Sequence, residues 1–220
     1  MGNYNFFVRG KRWAKFFINY CGERLRGLDF SMVYVGDLQK NTAEYHGYSM
    51  TDADDMKRIL GAVPVIPSKS AFLDVGCGKG MCMKVAAEFG YAKMDGLDLD
   101  ERLLNIARKN MRKLQLNVGC IQANAADFDG YAAYDVFYFY NPFGKPVFEK
   151  VIQRLIESQH KRDRDIWAVV YYHPVFGELF QQAGFTLEKE IHDHTRDTVA
   201  RIYKLSEKGE SECEFYDYFS

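Results

Sequence analysis

The chain has 220 residues, 47% of them apolar, and a formal net charge of −1. That is enough for one generous domain whose core needs no disulfide or metal staple. A near-neutral balance supplies no overall pull toward nucleic acid or an anionic membrane, and no stretch reaches the roughly 18–20 apolar residues of a membrane span. Charge is nonetheless uneven. Residues 1–30 hold Arg9, Lys11, Arg12, Lys15, Arg24 and Arg26 against Glu23 and Asp29, whereas 207–220 is strongly acidic. Two solvated ends, or a basic arm that guides substrate, both fit this pattern. The 5 cysteines are scattered and form no C-x-x-C pair. With no signal-like N-terminal run, they predict free thiols in a reducing cytoplasm.

In chain order, Trp13, Phe16, Phe17 and Tyr20 recur at i, i+3, i+4 and i+7. That spacing predicts a helix docking an aromatic stripe on the domain. Residues 31–50 read as an irregular loop containing glycine and tyrosine. Thr51 is placed to cap a helix whose first turn carries Asp52, Asp54 and Asp55, where negative charge suits the helix dipole. Met56, Ile59 and Leu60 give it an apolar side, and Pro64 and Pro67 close the segment. Residues 1–66 are thus expected as a helical extension and substrate-side loop, 67–206 as the main domain, and 207–220 as an acidic tail.

A regular alternation follows. The segments "AFLDVG", "KMDGLDLD", "NVGCIQ", "YDVFYFY" and "IWAVVYY" read as strands. Between them, "KGMCMKVAAEFG", "ERLLNIARKNMRKL" and "KPVFEKVIQRLIES" read as helices, and "VFGELFQQAGF" follows as a short one. Asp100 is positioned as an N-cap, and Pro146 stands in a first helical turn. "TLEKEIHDH" and "TVARIYKLSE" have no helix between them, so they should pair antiparallel at the sheet edge. The expected architecture is α/β: a mostly parallel seven-stranded sheet, helices on both faces, a C-terminal antiparallel hairpin and an N-terminal helical extension.

"LDVGCGKG" places Gly76, Gly78 and Gly80 between a strand and a helix, where backbone can turn tightly and approach a ligand. It is not the dinucleotide pattern, because the third glycine comes one residue early. Asp74, two residues before the first glycine, would repel a pyrophosphate and welcome a cation. S-adenosylmethionine carries an ammonium and a sulfonium and no phosphate. Asp98 ends the next strand, 22 residues beyond Gly76, and can accept both ribose hydroxyls. Asp127, in "NAADF" after the third strand, can accept from an adenine amino group beside Ala126 and Phe128.

With these motifs in order, the chain resembles the class I S-adenosylmethionine-dependent methyltransferases, which are Rossmann-like. The likeness runs over about 70–206, including the terminal hairpin. The stretches "HGYSMTDADDMKRIL", "FLDVGCGKG", "GLDLDERLLNIARKN" and "FYFYNPF" resemble a group of small bacterial methyltransferases of mostly unassigned substrate. That group is distantly similar to protein-lysine methyltransferases with a comparable tyrosine loop. The resemblance implies S-adenosyl-L-methionine as cofactor. It assigns Asp74, Gly76, Cys77, Gly78, Gly80, Asp98, Leu99, Asn124, Ala125, Asp127 and Asn141 to its site, with Asn124 and Ala125 flanking the adenine.

Methyl transfer from a sulfonium is an in-line displacement. The protein must aim an acceptor lone pair and see that the acceptor is deprotonated; no metal is expected. Asn141 ends the fourth predicted strand, so its side-chain oxygen and the carbonyls around Pro142 can accept from an amine, while Phe143 can stack on a base or a cation. Asn141, Pro142 and Phe143 are therefore the expected catalytic set. The motif resembles the (D/N/S)-P-P-(Y/F) of nitrogen methyltransferases but has one proline, which weakens a nucleobase reading more than an amine reading. The bland alternative is a turn whose asparagine caps the next helix. Tyr45, Tyr48 and His173 are expected on the acceptor side, with His46 a further possible base; His192 and His194 form no recognisable metal spacing. The expected acceptor is a nitrogen on a protein side chain or small molecule. RNA or DNA is the alternative substrate, and a non-catalytic S-adenosylmethionine-binding protein is the rival class.

Overall fold

The computed structural model describes residues 18, 20–30, 53–161, 168–192 and 198–205. Its strands are β1 (Ala71–Val75), β2 (Lys93–Asp98), β3 (Gly119–Gln122), β4 (Val136–Tyr140), β5 (Ala168–Tyr172), β6 (Phe185–His192) and β7 (Thr198–Leu205). The helices are α1 (Ala53–Leu60), α2 (Met81–Ala86), α3 (Glu101–Lys113), α4 (Lys145–His160) and α5 (Glu178–Gln182). Residues 20–25 form a further helical stretch before them.

All seven strands form one sheet, in the order β3-β2-β1-β4-β5-β7-β6. The first five pair in parallel, while β7 pairs antiparallel with both β5 and β6. The expected hairpin is present, but its second strand inserts beside β5 and leaves β6 at the edge. This order fits composition: β7 carries the buried Val199, Ala200, Ile202 and Tyr203, whereas β6 alternates with exposed charge.

Alternation along each strand divides the core in two. Phe72, Val136, Tyr138, Val170 and Tyr172 face α1, α2 and α3. Leu73, Val75, Phe137, Phe139, Val169 and Tyr171 face α4 and α5. Phe148 of α4, fully buried, stacks on Tyr171 at 4.9 Å and meets Phe180 edge-on; burying such a ring contributes about 1.5–3 kcal/mol.

Local signals act as expected. The Asp100 side chain accepts from Arg102 N–H at 2.8 Å and starts α3. Pro146 lies in the first turn of α4. Helix α2 passes into a 3-10 turn and stops at Gly90, where φ is 71°. The aromatic stripe of the N-terminal helix lies outside the described residues apart from Tyr20, whose ring stands 5.4 Å from the Arg24 guanidinium. Thr51 and the acidic tail also lie outside them.

Candidate functional site

The strand order reverses between β1 and β4, and sheets of this build take ligands in the crevice at the carboxyl ends of their strands at such a point. Two turns meet there. After β1, the Gly76 and Cys77 N–H groups both donate to the Leu97 carbonyl, at 2.8 and 3.0 Å, and Gly80 N–H donates to the Cys77 carbonyl at 2.9 Å. After β4 comes Asn141-Pro142-Phe143. A Cβ on Gly76, where φ is 84°, would lie 2.6 Å from Pro142 Cβ. The first glycine is thus what lets the two turns touch.

Two carboxylates, Asp98 and Asp74, border the glycine turn, and a third, Asp127, follows β3. Asp98 accepts Gly78 N–H at 2.8 Å through one oxygen and Asp100 N–H at 2.8 Å through the other. Burial pushes its pKa up, and these backbone donors pull it back. Asp74 is only 3% exposed, and its Oδ2 has no hydrogen-bond partner among the described residues. Burial, followed by the neighbouring Asp98 charge, pushes its pKa well up. Among the described residues, no positive group offsets the cost of burying that charge. Asp127 is exposed and takes the Asn124 amide N–H on Oδ2 at 2.7 Å, while Asn124 Oδ1 caps the 3-10 turn by accepting Ala126 N–H. Beside this turn, Ala125 is buried and its carbonyl accepts the Tyr131 hydroxyl. Leu99, next to Asp98, is 39% exposed, a large apolar side chain left at the crevice. Cys77 is buried, and burial pushes its thiol pKa well up.

On the β4 side, Asn141 adopts φ 40°, the left-handed region that asparagine tolerates better than most residues. It does not cap α4, whose N-cap is Gly144 without a side-chain bond. Instead its Oδ1 accepts the hydroxyl of Tyr171 at 2.9 Å, and that hydroxyl oxygen accepts Phe176 N–H at 3.4 Å. Phe143 turns inward: it is 6% exposed and packs 5.8 Å from Phe148. Its ring is therefore held in the core and is not presented as an open stacking surface.

Other aromatic rings cluster at this edge, Tyr172 among them buried and His173 exposed. Tyr140 and Tyr172 are register partners at the ends of β4 and β5, with ring centroids 4.8 Å apart. His173 follows β5, exposed at the edge, with its ring 5.4 Å from Tyr140 and 4.3 Å from Tyr172. Like Asn141 it is a non-glycine with positive φ, 50°. Two adjacent strands thus end in left-handed residues side by side, a strain that clusters at functional sites. Partial burial holds the His173 pKa below its ordinary value, against the opposing charge of Asp55. Tyr45, His46, Tyr48 and His194 lie outside the described residues, and His192 stands exposed at the end of β6.

Sequence reasoning missed Tyr171 and the Tyr140–Tyr172 pair. The signal was present: a tyrosine in an otherwise apolar, buried strand must find a partner for its hydroxyl. Among the described residues, no His/Cys/Asp/Glu group could hold a metal ion, and no helix is long and apolar enough to cross a membrane.

Residues 72–160 match the family model described as a methyltransferase domain. A stretch of 91 residues is 33% identical to the 7SK snRNA methylphosphate capping enzyme of Mus musculus, covering 40% of this chain and 13% of that protein. Another of 62 residues is 36% identical to the ribosomal protein L11 methyltransferase of Desulforapulum autotrophicum, covering 28% of this chain and 20% of that one. The chain thus spans a fifth or less of these curated relatives. Among solved structures, it is similar to an RNA methyltransferase from Salinibacter ruber determined with S-adenosyl-L-homocysteine. That likeness has a TM-score of 0.53 and 19% identity, over 73% of this chain and 95% of that one. The match to that methyltransferase domain runs from β1 to the end of α4, on a sheet whose order reverses at the glycine turn.

Proposed function

We propose that the domain transfers a methyl group from S-adenosyl-L-methionine to a nitrogen acceptor, on a protein side chain or a small molecule. The observation that carries this reading is the contact of Gly76 with Pro142, which sets the acceptor-side turn against the glycine turn. The residues suit the cofactor. Asp74 offers a buried carboxylate oxygen, unpartnered among the described residues, where a cationic ligand offsets the cost of its charge. Asp98 keeps second lone pairs for ribose hydroxyls while its first ones fix Gly78 and Asp100. Leu99 covers an apolar face, and Asn124, Ala125 and Asp127 form the adenine edge. The bound cofactor supplies an activated methyl group on a sulfonium.

The chain's own residues then position and deprotonate the acceptor. Asn141 is held in place by Tyr171, and its turn supplies acceptors for the amine N–H groups. His173, kept neutral at pH 7 by partial burial, takes the proton that the acceptor must lose. Asp98→Ala should weaken S-adenosyl-L-methionine binding by about 10–100-fold, the scale of losing charge-assisted hydrogen bonds; calorimetry checks this. Because His173 titrates below its usual value, the acid limb of kcat/KM should fall below about pH 6.5. It should vanish in His173→Gln.

A second reading, an RNA acceptor, draws on the snRNA capping enzyme among the relatives and the basic stretch at 1–30. The L11 methyltransferase speaks for a protein acceptor. Free thiols at Cys77 and Cys82 suit a reducing cytoplasm. The deciding experiment is calorimetry with S-adenosyl-L-methionine, followed by transfer of labelled methyl groups into protein, RNA and small-molecule fractions of a lysate. Label confined to RNA would overturn the protein or small-molecule acceptor.

A further inference from the structure

The Gly-Lys-Gly part of the turn is held from two sides. Toward the crevice, Asp98 fixes Gly78 N–H at 2.8 Å. Behind it lies the segment ending the N-terminal helical stretch, and the contacts there are unusual for a surface connection. Lys79, between Gly78 and Gly80, is only 3% exposed, and its ammonium meets Asp29 Oδ1 at 3.0 Å. Asn110 of α3, 1% exposed, clamps the same place. Its Oδ1 accepts Asp29 N–H at 2.9 Å, and its Nδ2 donates to the Asp29 carbonyl at 2.8 Å and to the Lys79 carbonyl at 3.0 Å. Leu28 and Phe30, on either side of Asp29, are each 1% exposed in the core. The segment is therefore built into the domain and does not lie loosely over it.

A buried lysine is costly to desolvate, and an apolar residue of similar size would pack there without that cost. Glycines on both sides make the turn permissive, with φ of 52° and 87° at Gly78 and Gly80. An ion pair and an amide clamp select one of the conformations such a turn can adopt. We propose that Asp29 is a positioning residue for cofactor binding: with Lys79 and Asn110 it sets the glycine turn from behind. The N-terminal segment thereby becomes part of the cofactor site. This rests on the reading above that the cofactor sits on the glycine turn.

The test is Asp29→Asn, which keeps the backbone bonds to Asn110 and removes the charge opposite Lys79. The Kd for S-adenosyl-L-methionine, measured by calorimetry, should rise about tenfold or more. Hydrogen exchange of amides 76–80 in the ligand-free protein should speed up while exchange in β4 and α4 stays unchanged. Asp29→Glu should restore part of the affinity. Lys79→Met provides a second arm: it should lose affinity similarly while unfolding at the same or a higher temperature, because a hydrophobe replaces a buried charge. Unchanged Kd in Asp29→Asn, or weakened binding accompanied by faster exchange throughout the domain, would overturn the positioning role. Failure of the wild-type chain to bind would remove the cofactor reading, and this inference with it.

Discussion

Gly76→Ala is expected to abolish methyl transfer and to lower folding stability by about 2–4 kcal/mol, combining a left-handed backbone penalty with overpacking. Both causes act at one atom. The added Cβ would stand 2.6 Å from Pro142 Cβ, far inside contact distance, on a residue whose φ is 84°. Proline offers no rotamer by which to retreat, so the glycine turn or the Asn-Pro turn must move as backbone. On the function proposed above, either movement separates the cofactor side from the acceptor side, and a misplacement of about 1 Å can cost 100-fold in rate. Denaturant unfolding measures the first effect. Calorimetry and single-turnover transfer measure the second. A variant with wild-type turnover would show that the contact between the turns is dispensable.

Asn141→Ala should leave cofactor affinity within a few-fold of wild type and reduce turnover by about 100–1,000-fold, the scale of removing one preorganised hydrogen-bonding group from a reaction centre. Its stability should also fall. Alanine tolerates φ 40° less well than asparagine, and the buried Tyr171 hydroxyl loses the oxygen it donates to. An unsatisfied buried group of that kind costs about 1–3 kcal/mol. Asn141→Gly separates these effects: it accepts the backbone conformation and removes only the side chain. Tyr171→Phe removes the hydroxyl while leaving the amide. If Asn141 acts by holding the acceptor, Asn141→Gly should be as slow as Asn141→Ala, and Tyr171→Phe should fall between them and wild type. Wild-type turnover in Asn141→Gly would remove the asparagine from the mechanism.

The elements that carry strong local signals were legible in the sequence. Apolar runs located β1, β4 and β5, Asp100 and Pro146 started helices, and Gly90 stopped one, because each acts through its own backbone or its neighbours along the chain. The glycine turn and Asp98 could be placed at one end of the sheet for the same reason. What stayed illegible depends on residues distant in sequence. The bond from Tyr171 to Asn141 spans 30 residues and that from Asp29 to Asn110 spans 81. Lys79 in a glycine-rich loop reads as solvated, and only the fold reveals that it is buried. Phe143 reads as an available ring until α4 brings Phe148 against it. The order of β6 and β7 is undetermined by their adjacency, since a hairpin can dock by either strand.

The seam between β1 and β4 carries a kinetic consequence. Ala71 and Asp135, 64 residues apart, close its start by reciprocal bonds of 2.7 Å, and Gly76 against Pro142 closes its end. Everything between these strands, including β2, α3 and β3, can form by shorter-range steps. The seam itself must wait for a long loop to close, and such non-local pairings are slow to form. Recovery of methyl transfer after dilution from denaturant should therefore lag behind recovery of helical signal, because the crevice comes into being only when the two halves of the chain meet.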